Sequence, residues 1–465
     1  MMIPLEAGSP RALYEQIYEY LKKDIKKGVL AEGSRLPSTR VLAESLKVSR
    51  STTQMAYDQL VAEGYVEAVP HKGYYVLRLE ALIEAEPELS GPFIREREEG
   101  EGKAEIDFSP RGIDLTHFPY NAWRKVTKDT LADNKKEMFL TGSPQGEPAL
   151  RDAIRGYLYS ARGVNCQAEQ IIIGAGSEYL LMLLNQILGP GRRIAMESPT
   201  YKQAYQVLES LGCDMVPIEM DEGGMDVRFL EESAADVAYV MPSHQYPTGI
   251  VMPILRRQEL LRWAGRKDGR FLIEDDYDSE FRYKGKPIPA LQGLDGAGKV
   301  IYMGTFSKSI APAIRVGYMV LPKPLLEIYR RRLGFYASTV SRIDQNIIYQ
   351  FLTGGYYERH LNRMRAIYKS KHDLLLSKLK QLEDDFVVCG EYAGLHVLLT
   401  SKRGCSERWM IEQAWKKGVR VYGLSSCFIH KYQDKQPSTV LLGYANLSED
   451  QIEKGIELLG QAWRE

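Results

Sequence analysis

The sequence predicts a small helical N-terminal domain followed by a large α/β domain, in which a mainly parallel sheet carries helices on both faces. Three observations predict this organisation. Short helical patterns and a strand pair occupy residues 11–78, a glutamate-rich stretch follows, and strand-like runs alternate with helical runs from about residue 106 to 321. Such alternation is typical of a parallel sheet, because parallel strands need helical crossovers. The length of 465 residues exceeds one ordinary core and predicts two or three domains.

Composition restricts the partners and the compartment. Basic and acidic residues number 61 each, so the formal net charge is zero. This balance excludes a globally basic nucleic-acid binder but is compatible with a locally basic face. The five cysteines lack CxxC spacing and predict neither disulfides nor a metal site. The N-terminus lacks a signal-peptide pattern and no run of about 18 apolar residues occurs, so we expect a cytoplasmic protein without a membrane span.

Three short helices and a hairpin are predicted in the N-terminal domain. The apolar residues that define the helices are Leu13, Ile17, Tyr20, Leu21 and Ile25 in the first, Val41, Leu42, Ala43 and Leu46 in the second, and Ala56, Tyr57, Leu60 and Val61 in the third. Ser38 and Ser49 are predicted N-caps of the second and third helices. Two strands, Tyr65–Val69 and Tyr74–Leu77, flank the turn 70–73.

The third helix is the candidate for nucleic-acid contact. Its first turn carries Arg50, Ser51, Thr52, Thr53 and Gln54, which we expect to face solvent. In a helix-turn-helix domain this turn enters the major groove, where arginine and hydroxyl side chains reach bases and phosphates. The hairpin is then a wing. The alternative is a three-helix interaction module with an ordinary charged surface.

A lysine and an aspartate at neighbouring strand ends indicate carbonyl chemistry in the large domain. Lys308 follows the apolar run Val300–Met303, where an amine can be desolvated and remain nucleophilic. The strand-like run 271–278 ends in acidic residues, among which Asp275 suits a protonated ring nitrogen. Pyridoxal phosphate needs this pair, because the lysine holds the aldehyde as an imine and the carboxylate keeps the pyridinium charged.

Further strand-end loops supply complementary groups. The run Ile171–Ile173 leads into Gly174-Ala175-Gly176-Ser177 and a helix, whose free N–H groups suit a phosphate. Tyr201 follows another strand and is suited to stacking on a flat ring, and Ser243 lies in the loop after a third. Several such loops at one sheet edge predict a single site.

These motifs, taken in order, resemble known families. Residues from about Ile106 to Glu465 resemble a fold-type I aminotransferase, with a small α+β subdomain at about 356–465. Leu36-Pro37-Ser38-Thr39-Arg40, Val48 to Thr53 and His71-Lys72-Gly73 resemble a GntR-type winged helix. The fusion resembles the MocR/GabR family of bacterial transcriptional regulators. We therefore assign residues 1–78 to the winged helix, 79–105 to an acidic flexible linker that could include a short helix, and 106–465 to the aminotransferase-like domain.

The resemblance implies pyridoxal 5'-phosphate as cofactor and a role for each matching residue. Lys308 would form the internal aldimine, Asp275 would pair with the pyridine nitrogen, Tyr277 would bond the ring hydroxyl, and Tyr201 would stack on the ring. The remaining cofactor-binding candidates, mostly for the phosphate, are Ala175, Gly176, Ser177, Ser243, Thr305, Ser307 and Arg315.

The resemblance also implies double-stranded DNA as a partner. The DNA-contacting candidates are Arg40, Ser49, Arg50, Ser51, Thr52, Thr53, Lys72 and Gly73. One winged helix reads few base pairs, so we expect a homodimer on repeated half-sites. In the family the linker places each DNA-binding domain over the partner subunit, and we expect the same domain swapping here.

Two departures from aminotransferases concern the small-molecule ligand. The usual Asn-Pro-Thr-Gly motif is replaced by Tyr246-Pro247-Thr248-Gly249, and the C-terminal strand 440–446 has no arginine for a carboxylate. Arg315 or Lys202 would have to substitute, or the ligand is a larger amino compound or short peptide. The effector-binding candidates are Arg315, Tyr277, Gln203 and Lys202.

The sequence therefore predicts a transcriptional regulator with an aminotransferase-like domain and not an enzyme, although residual or half-transamination is compatible with this prediction. An amino acid, amine or short peptide would displace Lys308 through external aldimine formation and change the spacing of the winged helices. One rival is an active aminotransferase with an accessory N-terminal module, against which the missing asparagine and arginine count. Another is a dimerisation scaffold with an empty site, which the lysine, aspartate and tyrosines disfavour.

Overall fold

The computed structural model describes residues 3–6, 10–78, 104–131, 136–283, 285, 287–391, 393–429 and 438–464. Most of the predicted linker, residues 79–103, lies outside the described residues. The chain forms two compact units, Met1–Glu101 and Gly102–Glu465. Within the described residues, every helix is too short or too polar to cross a membrane.

The N-terminal unit is a winged helix-turn-helix. Its elements are α1 (Leu13–Lys26), α2 (Thr39–Leu46), α3 (Arg50–Ala62), β1 (Val66–Val69) and β2 (Gly73–Val76). Ser38 Oγ accepts from Val41 N at 3.2 Å and Ser49 Oγ from Thr52 N at 3.1 Å, which confirms both predicted N-caps. The strands pair antiparallel from Val66↔Val76 to Val69↔Gly73.

The core of this unit lies between α1, α3 and the hairpin. Ile17, Leu21, Tyr57 and Leu60 are fully buried in it. The prediction that Val41 belongs to this core is wrong, because its side chain is 56% exposed. In a helix of eight residues only one face packs on α3, and Leu42 and Ala43 occupy that face.

The second unit contains the remaining elements. Its helices are α4 (Tyr120–Thr130), α5 (Pro148–Arg162), α6 (Ser177–Leu188), α7 (Lys202–Ser210), α8 (Val227–Glu232), α9 (Ile254–Gly265), α10 (Lys323–Arg332), α11 (Arg342–Thr353), α12 (Tyr356–Leu379), α13 (Glu407–Lys416) and α14 (Glu449–Arg464). Its strands are β3 (Ile106–Asp107), β4 (Ile171–Gly174), β5 (Arg193–Ser198), β6 (Asp214–Asp221), β7 (Gly224–Met225), β8 (Val237–Val240), β9 (Phe271–Asp276), β10 (Val300–Thr305), β11 (Gly317–Val320), β12 (Phe386–Cys389), β13 (His396–Ser401), β14 (Val419–Arg420), β15 (Tyr422–Gly423) and β16 (Thr439–Gly443).

An eight-stranded sheet organises the larger part of the second unit. Its order is β4-β11-β10-β9-β8-β5-β6-β7, and the strands from β10 to β6 are parallel. Strand β11 runs antiparallel to both β10 and β4. The central strands are buried throughout, as in a sheet covered by helices on both faces. This confirms the predicted mainly parallel α/β fold.

A smaller layer follows the main sheet. Strands β12-β13-β16-β15 form an antiparallel sheet, which α13 and α14 cover. The predicted start near residue 356 coincides with the start of α12, but α12 belongs to both layers. Its first half buries Tyr357 and Leu361 in the core of the main sheet, and its second half buries Leu375 and Leu379 in the smaller core. The distant strand β3 also joins this layer by pairing with β14.

Candidate functional site

Asp275 and Lys308 lie at the ends of two adjacent parallel strands. Strands β9 and β10 are in register with Met303 opposite Asp275, so the carboxylate and the lysine loop share one sheet edge. Asp275 is buried, and this burial raises its carboxyl pKa to about 6. The hydroxyl of Tyr239 on β8 donates a hydrogen bond to Asp275 Oδ2 and opposes that rise. Asp275 is therefore a buried carboxylate with a fixed orientation.

The amine of Lys308 is desolvated. Its Nζ donates to the carbonyl oxygens of Arg111, at 3.0 Å, and Pro110, at 3.3 Å. Burial lowers the Lys308 pKa to about 8, while the charge of Asp278 opposes this and that of Arg111 adds to it. An amine with this pKa is neutral in a fraction of about one fifth near physiological pH, far more than an ordinary lysine, and this neutral form is the nucleophile. The sequence did not single out the segment around Arg111 that contacts this amine.

The predicted phosphate end is built by a helix N-terminus and an arginine. Helix α6 begins at Ser177, directly after Gly176, which has a φ of +88°. A Cβ at Gly176 would lie 2.6 Å from Arg315 Nη2, so only glycine leaves this cradle open. Arg315 Nη2 is bound to Glu178 Oε2 at 2.6 Å. These groups suit an anion, because the N-terminus of α6 and a guanidinium lie beside each other.

The other predicted phosphate contacts lie around the same turn. Thr305 Oγ1 accepts from Ser307 N at 2.8 Å, which orders the loop before Lys308. Ala175 N donates to Thr339 Oγ1 at 3.0 Å. Ser243 occupies a different position, because its hydroxyl accepts from Arg162 Nη2 at 2.6 Å. Arg162 also forms a buried ion pair with Asp276 at 2.8 Å, so in this structure Ser243 supports the strand ends.

Tyr277 belongs to a buried polar cluster that the sequence did not reveal. Its hydroxyl lies 2.9 Å from His244 Nδ1, which is also 3.0 Å from Asp278 Oδ1. His396 Nε2 donates to the carbonyl of Pro247 at 2.8 Å, and burial lowers the His396 pKa to about 4. His396 is therefore a neutral donor that ties β13 to the loop 246–249. The histidines lay too far apart in sequence to be predicted as neighbours.

Tyr201 and Tyr246 form an aromatic wall of the site. Their rings meet edge to face with centroids 5.8 Å apart, and Tyr246 meets Tyr277 in the same way at 5.9 Å. Burial raises the Tyr201 pKa to about 12, so its hydroxyl stays protonated. Tyr246 stands where aminotransferases carry the asparagine of their motif. A phenol and its ring thus replace a carboxamide beside Tyr277.

Among the candidate effector residues, Gln203 and Arg315 both contact Glu178, whereas Lys202 lies at the start of α7. Tyr201 donates to Gln203 Oε1 at 2.9 Å, and Gln203 Nε2 donates to Glu178 Oε1 at 2.6 Å. Gln203 and Arg315 are thus joined through Glu178 at the phosphate end. Lys202 is the first residue of α7 and is half-buried. Arg315 is therefore already paired with Glu178.

The predicted DNA-contacting residues lie mainly on the first turn of α3 and the wing. Arg50 and Ser51 are exposed on that turn, and Lys72 is exposed at the tip of the wing. Ser49 Oγ lies 2.7 Å from both Ser51 Oγ and Thr52 Oγ1, which makes a compact hydroxyl cluster at the helix start. Gly73, with φ +110°, allows the wing to pass close to Arg35.

Of the other two predicted DNA contacts, Thr53 is buried and Arg40 is exposed. The prediction that Thr53 faces solvent is wrong. Its side chain is fully buried and its hydroxyl donates to Thr39 O at 2.8 Å and Arg50 O at 3.0 Å, because position 53 faces α2. Arg40 is exposed and pairs with Glu44 on the same helix at 3.1 Å.

Comparisons with known proteins agree with both units. Residues 113–459 match the family described as aminotransferase class I and II, and residues 13–76 match the bacterial regulatory proteins of the gntR family. The uncharacterised HTH-type transcriptional regulator YdeL of Bacillus subtilis is 40% identical over 97% of both chains. The probable rhizopine catabolism regulatory protein MocR of Rhizobium meliloti is 31% identical over 99% of this chain and 96% of its own.

Solved structures support the fold of the second unit. A kynurenine aminotransferase from Pyrococcus horikoshii superposes with a TM-score of 0.69 and 27% identity, over 78% of this chain and 91% of its own. Fold and site thus define a GntR-type winged helix fused to an aminotransferase class I and II domain, a class whose members use pyridoxal phosphate. The chain belongs to the MocR/GabR-type transcriptional regulators.

Proposed function

We propose that this regulator binds pyridoxal 5'-phosphate and senses a small amino compound at Lys308. The observation that carries the proposal is the pairing of a desolvated amine, Lys308, with a buried carboxylate, Asp275, at adjacent strand ends. The open cradle between Gly176 and Arg315 adds an anion site at the same edge. A lysine and an aspartate with a purely structural role would not need an anion site beside them.

The cofactor supplies an aldehyde that condenses with one primary amine at a time, either that of Lys308 or that of the effector. Each side chain has a defined task in that exchange. Asp275, held by Tyr239, would stabilise a positive charge on the ring nitrogen. Tyr277, held by His244, would donate to the ring hydroxyl. The carbonyls of residues 110 and 111 accept from the free amine of Lys308 and would hold it when it is not bound to the cofactor.

Transmission to DNA depends on two states with different effector affinities, because a ligand shifts an equilibrium only by its differential affinity. The hydrogen bond from His396 to Pro247 joins the smaller layer to the loop that bears Tyr246. An effector amine beside Tyr246 and Tyr277 therefore acts on a contact between layers. In a homodimer with swapped N-terminal domains, such a shift changes the spacing of two winged helices on repeated half-sites.

The direct test is Lys308→Ala, with Lys323→Ala as the matched control. Lys323 is exposed at the start of α10. We expect Lys308→Ala to bind its own promoter DNA like the parent protein in a mobility-shift assay, and to lose both the imine absorbance band and every effect of amino compounds on the complex. Lys323→Ala retains all three properties. An effector response that survives in Lys308→Ala contradicts the proposal.

An active aminotransferase is the second candidate, because the chain retains Lys308, Asp275 and Tyr277. Product assays separate the two. Steady conversion of an added 2-oxo acid to its amino acid, without any change in the DNA complex, favours the enzyme. A spectral shift that accompanies a changed DNA complex, without keto product, favours the sensor.

A further inference from the structure

The strand that ends near the site lacks the arginine expected for a carboxylate. Strand β16 reads Thr-Val-Leu-Leu-Gly, and its Leu441 is buried. The space beside its end is occupied by backbone. Gly443 N donates to Phe108 O at 2.9 Å, and a Cβ at Gly443 would lie 2.1 Å from Ser109 O. The chain segment 108–112 therefore lies against the end of β16.

This segment is held at both sides of Arg111. Asn446 Nδ2 donates to Asp107 O at 3.0 Å, and a Cβ at Gly112 would lie 2.2 Å from Asn446 Oδ1. The carbonyl of Arg111 itself accepts from Lys308 Nζ at 3.0 Å. Residue 111 is thus the backbone neighbour of the reactive amine, and its position is fixed by contacts that do not involve its side chain.

The guanidinium of Arg111 is a free cation at this position. The side chain is exposed, and within the described residues it makes neither an ion pair nor a hydrogen bond. Its charge lies near the site, because it lowers the pKa of Lys308 and opposes the burial that raises the pKa of Tyr201, Tyr246 and Cys427. Arg315, by contrast, is already bound to Glu178.

We propose that Arg111 binds a carboxylate of the effector and takes the place of the arginine missing from β16. This proposal rests on the proposed function and narrows it. The effector is then an amino compound that also carries a carboxylate, such as an amino acid or a short peptide with a free C-terminus. A planar guanidinium suits this group, because it donates two parallel hydrogen bonds to the two oxygens.

The test compares amino acids with their carboxamides. L-alanine, L-leucine, L-lysine and the dipeptide Ala-Ala are titrated beside the same compounds bearing a neutral C-terminal carboxamide. The proteins are the cofactor-loaded full chain, Arg111→Gln, Arg111→Lys and Arg408→Gln. Arg408 is a matched control, because it is an exposed arginine on α13 that pairs with Glu412. The readouts are the absorbance shift and the mobility of the promoter complex, with circular dichroism to verify folding.

In the parent chain and in Arg408→Gln, we expect the responsive acids to act at concentrations roughly 10 to 100 times lower than their carboxamides, as for a charge-assisted hydrogen bond. Arg111→Gln abolishes this difference, and Arg111→Lys keeps part of it. Propanoate, which has no amine, should compete with the responsive acid in the parent chain but not in Arg111→Gln. Both substitutions keep the backbone contact to Lys308, and if Arg111→Gln fails to fold, Arg111→Lys provides the comparison.

Two contrary results are distinguishable. If acids and carboxamides act equally in the parent chain, or Arg111→Gln keeps the preference, the assignment of Arg111 is wrong and amine sensing at Lys308 still stands. If neither class changes the absorbance or the DNA complex in the parent chain or in Arg408→Gln, the proposed function fails, and the assignment fails with it.

Discussion

At the scale of single residues, the contact between Tyr239 and Asp275 sets the charge at the centre of the site. Tyr239 pairs with Ile273 across β8 and β9, so its side chain shares a face with Asp275 two residues on. Its hydroxyl is the only donor among the causes that lower the pKa of this buried carboxyl. The folded-state pKa is raised from 3.8 to about 6, and the carboxylate is therefore fully ionised only above that pH.

We predict that Tyr239→Phe weakens pyridoxal phosphate binding in a pH-dependent way. Loss of the hydroxyl raises the pKa of Asp275 further, so more of the variant is protonated near pH 6.5 and cannot pair with a charged ring nitrogen. Equilibrium titrations should give about 3-fold weaker binding at pH 6.5 and almost no difference at pH 8.5, for a shift of about one pKa unit. The direction follows because ionised Asp275 is the binding form.

The control for this prediction is Tyr302→Phe. Tyr302 is also fully buried, and its hydroxyl donates to Asp276 on the adjacent strand. This control therefore removes an equivalent hydroxyl from the carboxylate next to Asp275. We expect its cofactor affinity to change equally at both pH values. If the loss of cofactor affinity in Tyr239→Phe is the same at both pH values, Asp275 is not the group whose ionisation controls binding.

At the scale of elements, helix α3 separates DNA contact from stability within one turn. Arg50 is exposed at its first position and Thr53 is buried with two hydrogen bonds. We predict that Arg50→Ala weakens promoter binding by about 1–3 kcal/mol, a typical value for a base-contacting arginine. Its free energy of unfolding should not fall, because a cation at a helix N-terminus is unfavourable.

Thr53→Ala should behave in the opposite way. The carbonyls of Thr39, in a buried bond, and of Arg50, in a partly buried one, lose the Thr53 hydroxyl as a donor, which costs about 1–3 kcal/mol of unfolding free energy. Promoter affinity at a temperature where the domain is folded should remain close to that of the parent chain. Equal losses of stability in the two variants would show that Arg50 is also structural.

The loop that bears Tyr246 packs closely against the backbone of the smaller layer. Gly249 has a φ of +75°, and a Cβ there would lie 2.7 Å from Gly390 Cα. We predict that Gly249→Ala lowers the free energy of unfolding by about 2–4 kcal/mol, which combines the left-handed backbone with a steric overlap. Gly298→Ala is the control, because its φ is +66° and no described atom lies within 4 Å of its Cβ. Urea titrations should show only about 1 kcal/mol for the control.

At the scale of the whole molecule, two adjacent exposed apolar side chains form a candidate surface for the proposed homodimer. Phe139 is 75% exposed and Leu140 is 64% exposed, and both follow the contact between Glu137 O and Arg342 on α11. Isolated apolar residues are common on surfaces, whereas adjacent large ones mark association sites.

We predict that Phe139→Ser combined with Leu140→Ser shifts the protein from dimer to monomer in sedimentation velocity, because burial of these side chains no longer offsets the entropy of association. Leu255→Ser on α9, where the side chain is 69% exposed, should leave the dimer intact. A double variant that sediments with the parent chain would exclude this surface from the interface.

The sequence by itself determined the fold and the family of this protein and predicted the candidate residues of its site. Apolar strands that end in Asp275 or lead into Lys308, and a glycine turn before α6, are local patterns whose chemistry follows from neighbouring residues. The same holds for the N-caps Ser38 and Ser49. Local patterns were predicted correctly because hydrogen bonds of strands, caps and turns join residues that are close in the chain.

Only the tertiary structure decided what depends on contacts between distant segments. Tyr239 and Asp275 meet across two strands, and His396 reaches Pro247 from another layer. Thr53 is buried by α2, although the pattern of its helix suggested exposure. Arg111 comes beside Lys308 because β3 and the segment after it fold back onto β14 and the end of β16. Such neighbours leave no periodic trace in sequence, since packing alone brings them together.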